Sequence, residues 1–188
     1  MEINSTETGV SISIEEVEIR ILQDLANQLL HLTTPEKPDE GEDPLAQLVG
    51  IDSHAAKPTD PVLGRLYPDA YPDDPEASLE FRRFTERSLR DASVGRAERV
   101  LEELSSNIDF FDEINSLVEL DLDTDLWNDM VGFLNDVRLA LGTRLEITEN
   151  FESHEIAEDD PRAALFDLYG WLTWMQEVLI SKGYFRED

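Results

Sequence analysis

The sequence predicts a mainly α fold, a single-domain irregular bundle of five to six helices carrying a small two-stranded β-ribbon. Three observations lead there. Four Asp-Pro dipeptides, Asp43-Pro44, Asp60-Pro61, Asp74-Pro75 and Asp160-Pro161, each stand just before a run with helical apolar spacing. Aspartate accepts the unpaired N–H groups of a first turn, and proline at the first helical position loses nothing, because its missing N–H would have had no partner. Ile14, Val17, Ile21, Leu25, Leu29 and Leu32 mark a further helical stripe that lacks this start signal. Two brief alternations, Val10, Ile12, Ile14 and Val118, Leu120, Leu122, have the period of strands and can pair into the ribbon.

In chain order, residues 1–9 are expected to be a disordered tail and residues 10–186 a single helical domain. The first helix ends near "LTTPEKP", and the prolines, glycine and acids of residues 34–43 predict a flexible, solvated loop. Short helices are expected at "DPLAQLVG" and "DPVLGRLYP". After Asp74-Pro75 a longer helix presents Ala77, Phe81, Phe84, Ser88 and Ala92 on one face, expected to point inward. Beyond Gly95 the apolar set becomes Ala97, Val100, Leu101 and Leu104, roughly half a turn away, so a kink between Ser93 and Gly95 is expected. A helix from Thr124 runs to about Ile147, "ENFESHEIAEDD" is an acidic loop, and the last helix spans Pro161 to Lys182. That helix is apolar on two sides: Leu165, Leu168, Tyr169, Leu172, Met175 and Leu179 make one stripe, while Trp171, Trp174 and Val178 point elsewhere. Such a helix is expected at the centre of a bundle, or half-covered until a partner arrives.

Composition narrows the functional classes. A chain of 188 residues is about one domain and can bury roughly 70% of its unfolded surface. No apolar run approaches the length of a membrane span, and "MEINSTETGV" has neither the basic region nor the apolar stretch of a secretory signal, so a cytoplasmic location is expected. The net charge of −28 repels the phosphate backbone and anionic lipid, which disfavours direct binding to nucleic acid or a membrane. With no cysteine, disulfides, thiolate nucleophiles, iron-sulfur clusters and cysteine-ligated zinc are excluded. The charge is uneven: between Pro61 and Val100 seven arginines meet eight acids, a locally balanced segment in an anionic body.

Arg138 is the residue that least fits its surroundings. In "NDVRLALGTRL" it projects with Val131, Leu134 and Leu145, toward the core. A guanidinium there needs a partner, and its planar fork suits a carboxylate. Asp136 lies nearly opposite, so the expected structural ion pair is with Asp69, Asp73 or Glu80 from another helix; a small-anion pocket is the sharper alternative. Arg83, Arg87 and Arg90 lie at i, i+4, i+7, opposite Phe81 and Phe84, and form an expected exposed basic stripe. Glu80 and Glu86 are spaced to pair with Arg83 and Arg90. The stripe reads as a self-paired solvated face or a docking surface for an acidic protein. Trp171 and Trp174 are the second candidate contact. Tyr67 and Tyr71 in "LYPDAYPDD" read as rings packed on the helices rather than as recognition aromatics.

His31, His54 and His154 are scattered singly, without helical metal-site spacing. The acids of residues 149–160 lack the calcium-loop pattern, and neither a glycine-rich phosphate loop nor a Gly-x-Ser-x-Gly elbow occurs. The expectation is a non-enzymatic protein with no cofactor and no metal.

"DPLAQLVG", "DPVLGRLYPDAYPDDPEASLEFRRFTERSLR", "NDVRLALGTRL" and "YGWLTWMQEVL" occur in the order seen in the actinobacterial DUF2017 family, and the resemblance spans about Glu15 to Leu179. It implies an oxidative-stress transcriptional regulator acting through protein contacts, with an alternative sigma factor or another RNA polymerase component as partner. Self-association as a homodimer is a further expectation. Family genes lie near those for a protease adaptor and cysteine biosynthesis, which implies the alternative of an accessory protein in regulated proteolysis or cysteine supply. The family's redox mechanism uses a cysteine pair that this chain lacks. Beyond the initiator only Met130 and Met175 carry oxidisable sulfur, both on predicted core stripes.

Overall fold

A three-stranded antiparallel sheet is covered on its apolar face by the helices over residues 16–33, 124–144 and 163–183, and the remaining described helices pack on those. The structure, a computed structural model, describes residues 1–34, 56–107, 117–148 and 160–183. The predicted helix at Asp43–Gly50, the predicted loop beyond Thr34, the acidic loop over residues 149–159, and His54 and His154 lie outside the described residues.

The strands are β1 (Glu2–Ser5), β2 (Gly9–Glu15) and β3 (Leu117–Asp123), in the order β1-β2-β3. The two predicted alternations do pair, Val10 with Leu122, Ile12 with Leu120 and Ile14 with Val118. The ribbon is nevertheless a three-stranded sheet, because the expected disordered tail supplies β1. Ile3 sits opposite Ile12 and is 5% exposed, so one apolar residue anchors a strand that carries no alternation of its own. Gly9 is required where β2 meets β3: a Cβ there would lie 1.6 Å from the Leu122 carbonyl oxygen.

The helices are α1 (Glu16–Thr33), α2 (Pro61–Leu66), α3 (Pro75–Ser106), α4 (Thr124–Arg144) and α5 (Ala163–Gly183). Helix α1 starts with a Glu15–Glu18 capping box in place of the Asp-Pro device, so Ile14 lies within a strand and does not belong to the helical stripe. Asp60 and Asp74 cap α2 and α3 as expected, accepting from Val62 N and Ala77 N. Asp160 accepts from Arg162 N just before α5.

Ile19, Leu22 and Ala26 of α1, Ala97, Val100 and Leu104 of α3, Met130, Phe133 and Leu134 of α4, and Leu172, Met175 and Leu179 of α5 are fully buried with the sheet's inner face. The central helix is α4, packed against α3, α5, α2 and α1. The sequence put the last helix at the centre; instead α5 lies to one side, against α4 and the β1–β2 edge. Its mixed apolar faces follow from that position, with Leu172, Met175 and Leu179 buried, Trp171 and Val178 partly covered, and Trp174 exposed.

Helix α3 differs most from expectation. It runs unbroken for 32 residues, about 48 Å at 1.5 Å per residue, where a kink was expected. Its second half packs inward through Ala97, Val100 and Leu104 as read. In its first half the face expected inside is outside: Phe81 is 44% and Phe84 55% exposed, while Ser78 and Arg82 are buried. The chain over Tyr67–Tyr71, which offers carbonyls and a carboxylate, covers that inner side, so polar residues face it.

Candidate functional site

Three polar clusters hold Asp69, Arg90 and Arg138, three of the seven charged residues that the sequence offered as site residues. At the first, Arg82 donates through Nη2 to Asp69 Oδ1 at 2.9 Å and to the Tyr67 carbonyl at 3.0 Å, and also pairs with Glu86 one turn on. Burial opposes charge on Arg82, but Glu86 and Asp69 outweigh it and raise its pKa above the ordinary arginine value. Lys57, at 2.6 Å, and Arg82 hold the Asp69 carboxyl below its usual range. Glu86 also receives Arg90 Nε at 2.9 Å and Nη2 at 2.6 Å, the i, i+4 pair that the spacing predicted. The Arg90 guanidinium lies 4.7 Å from the Tyr67 ring centroid.

Arg90 therefore leaves the expected exposed stripe, turned inward by Glu86 and Tyr67. Arg83 and Arg87 remain on the outer side of α3, Arg87 exposed and Arg83 half-buried. Tyr67 is a packed ring, 4% exposed, as its reading required. Burial raises the phenol's pKa, with Ser93 and Arg90 pulling the other way.

The second cluster joins α3 to α4. Asp136, placed by the sequence away from the core, is buried and accepts from Arg96 Nη2 at 2.7 Å and Ser93 Oγ at 3.0 Å. The Arg96 stem crosses α4 at Gly132, where a Cβ would stand 2.7 Å from Arg96 Cδ. Because α4 is covered on both sides, it buries Asp136 on one face and half-buries Arg138 on the other. Neither residue's partner was visible as a local spacing, since Ser93 and Arg96 are about forty positions away.

The third cluster answers the question of Arg138. Its expected acid is absent: Asp69 serves Arg82 and Lys57, and Asp73 and Glu80 are exposed. The guanidinium instead donates through Nε to Thr173 Oγ1 at 3.0 Å and through Nη1 to Gln176 Oε1, and lies 5.5 Å from the Tyr169 ring centroid. Gln176 Nε2 in turn donates to the Val131 carbonyl at 3.1 Å. Neutral oxygens satisfy the charge because Arg138 is half-buried and keeps some access to water. It pins α5 to α4.

A largely apolar groove of about 210 Å³ opens between α1, α4 and the start of α5. Leu29, Val137 and Leu145 form its floor, and Leu32, Leu165 and Leu168 its walls. Arg144 and Arg162 stand on its rim. Arg162 is held by Asp160 at 3.0 Å and lies 5.4 Å from the Phe166 ring centroid, whereas Arg144 is exposed and has no hydrogen bond or ion pair among the described residues. Sequence reading missed this groove because its walls come from three helices.

Among the described residues no group of three or more His, Asp or Glu side chains is placed to hold a metal ion, and no helix is long and apolar enough to cross a membrane.

A family described as "Domain of unknown function (DUF2017)" matches residues 1–182. The oxidative stress regulator AosR of Mycobacterium tuberculosis is 33% identical over 178 residues, covering 89% of this chain and 79% of the relative. AosR of Mycobacterium bovis has the same identity and coverage. No solved structure matches.

Proposed function

This chain belongs to the DUF2017 family, and on that premise we propose that it is a cytoplasmic, non-enzymatic regulator of the oxidative-stress response. It acts by contact with a transcription component such as an alternative sigma factor. The observation that carries the reading is the similarity to oxidative stress regulators along most of the chain. The electrostatics agree with it. A net charge of −28 keeps the protein off DNA, so it reaches a promoter through a partner already bound there. Arg82, Arg90 and Arg96 are committed to internal carboxylates and serve as structural clamps.

In this reading the partner seats an acidic-apolar segment in the groove between α1, α4 and α5, with its acids toward Arg144 and Arg162. Trp174, exposed on the far side of α5, is a separate contact. Affinity purification of the tagged chain from oxidant-treated cells, read by mass spectrometry, tests the proposal. Recovery of a sigma factor or polymerase subunit, lost on Arg144→Glu with Leu165→Asp, is the expected outcome. Recovery of protease or cysteine-biosynthesis components without any transcription component would overturn it.

A further inference from the structure

Helix α3 carries two apolar faces about half a turn apart, and among the described residues only one enters the core. Ala97, Val100 and Leu104 fill the core. The other set, Ala77, Phe81, Phe84 and Ser88, lies away from the side on which Ser78 and Arg82 are buried. The helix is unbroken from Pro75 to Ser106, and both phenylalanine side chains on this face are exposed. Tyr71, half-exposed, meets Phe81 edge-on with ring centroids 6.1 Å apart and widens the same apolar surface.

The arrangement of this face identifies what fits it. Its positions are spaced 4, 3 and 4 residues, the seam of a helix pair that packs knobs into holes. The pattern small, Phe, Phe, small reads the same in both directions. Reversing one helix about the midpoint of Phe81 and Phe84 sets Phe81 against Phe84 of the other copy, and Ala77 against Ser88. That is the requirement of a two-fold interface, in which residue i meets j and j meets i. The charges beside the seam obey the same symmetry: Glu80 and Arg87 are seven residues apart on one flank, so reversal brings each beside its opposite. In a parallel pair those two positions would face Thr85 and Ala92, and the charges would find no complement.

We propose that two copies of this chain associate through the first half of α3, antiparallel and two-fold, with Phe81 and Phe84 at the centre and Glu80–Arg87 pairs at the margin. The proposal goes beyond the regulatory reading and does not depend on it.

The test uses the full chain. Sedimentation equilibrium across micromolar concentrations should show the mass doubling; a monomer throughout would overturn the proposal. Phe84→Glu should weaken association by about ten-fold or more with unchanged helicity, since a central aromatic anchor is lost from an exposed site; undiminished association would overturn it. Glu80→Arg and Arg87→Glu should each weaken the dimer, and the two together should restore it; failure of the restoration would overturn the antiparallel register. Because the chain has no cysteine, orientation can be read directly. A mixture of Ala77→Cys and Ser88→Cys proteins should form a disulfide-linked dimer while neither does alone, the like positions lying roughly 16 Å apart along the helix at 1.5 Å per residue. Self-linking of Ala77→Cys alone would mean a parallel pair and would defeat the inference.

Discussion

Arg82 on α3 and Asp69 in the segment before it meet at 2.9 Å, and the arginine side chain is only 5% exposed. This contact, shared with Glu86, turns the polar side of α3 inward and leaves Phe81 and Phe84 outside. The Asp69 carboxyl has a folded-state pKa below its ordinary value, first through Lys57 and then through Arg82. A depressed carboxyl pKa contributes stability that is present above the unfolded value, about 4, and is lost as pH falls through the folded one. Asp69→Asn is therefore expected to be less stable than the parent at pH 7, with the difference shrinking below about pH 4 as the parent loses the same interaction. Urea unfolding at neutral and acid pH checks this; a gap constant with pH would contradict it.

Asp136 is the shared acceptor of Arg96 and Ser93 between α3 and α4. Asp136→Ala strands a guanidinium and a hydroxyl in a largely closed site, and is expected to cost about 3 kcal/mol. Replacing both partners by Arg96→Met with Asp136→Leu should recover much of that loss, because no uncompensated charge remains. A double-mutant cycle on the denaturation midpoint would show the coupling; additive losses would not.

Arg138 has the opposite chemistry, holding neutral oxygens of Thr173 and Gln176. Arg138→Met keeps the stem and removes only hydrogen bonds to neutral acceptors, so about 1–2 kcal/mol is expected, less than for Asp136→Ala. Arg138→Lys should not rescue it, since one ammonium cannot reproduce the fork that reaches both acceptors. Thermal unfolding of the two variants beside Asp136→Ala gives the order.

The features legible in the sequence were those set by near neighbours. The Asp60 and Asp74 caps, the alternations that form β2 and β3, the burial of Met130 and Met175, and the Glu86–Arg90 pair all follow from local spacing. What could not be read was set by contacts that no element's own periodicity shows. Strand β1 depends on Ile3 finding β2, and the rotation of α3 depends on Asp69 and the Tyr67 carbonyl covering its inner side. Arg138 does point into the protein, but its acceptors lie on another helix and are not acids. The arginine stripe failed at Arg90 for the same reason: periodicity fixes directions around one helix, not which direction its neighbours occupy.

Oxidation is the last point of test, because the relatives are oxidative stress regulators and this chain has no thiol. Met130 and Met175 are 0% exposed, packed between α4, α5 and the sheet. Peroxide must reach a sulfur to convert it to the sulfoxide, and a polar sulfoxide there would disrupt the packing it entered. Folded protein treated with peroxide is therefore expected to gain oxygen at Met1 and not at Met130 or Met175, with both core positions becoming reactive only in denaturant. Peptide mass mapping after timed exposure resolves the three sites. Met130→Leu with Met175→Leu should keep the fold, each volume-conserving exchange costing less than about 1.5 kcal/mol. The same variant should keep any transcriptional response to peroxide, which would place the oxidant-sensing group outside these two core methionines. Loss of the response with the fold intact would instead place the sensor in this core.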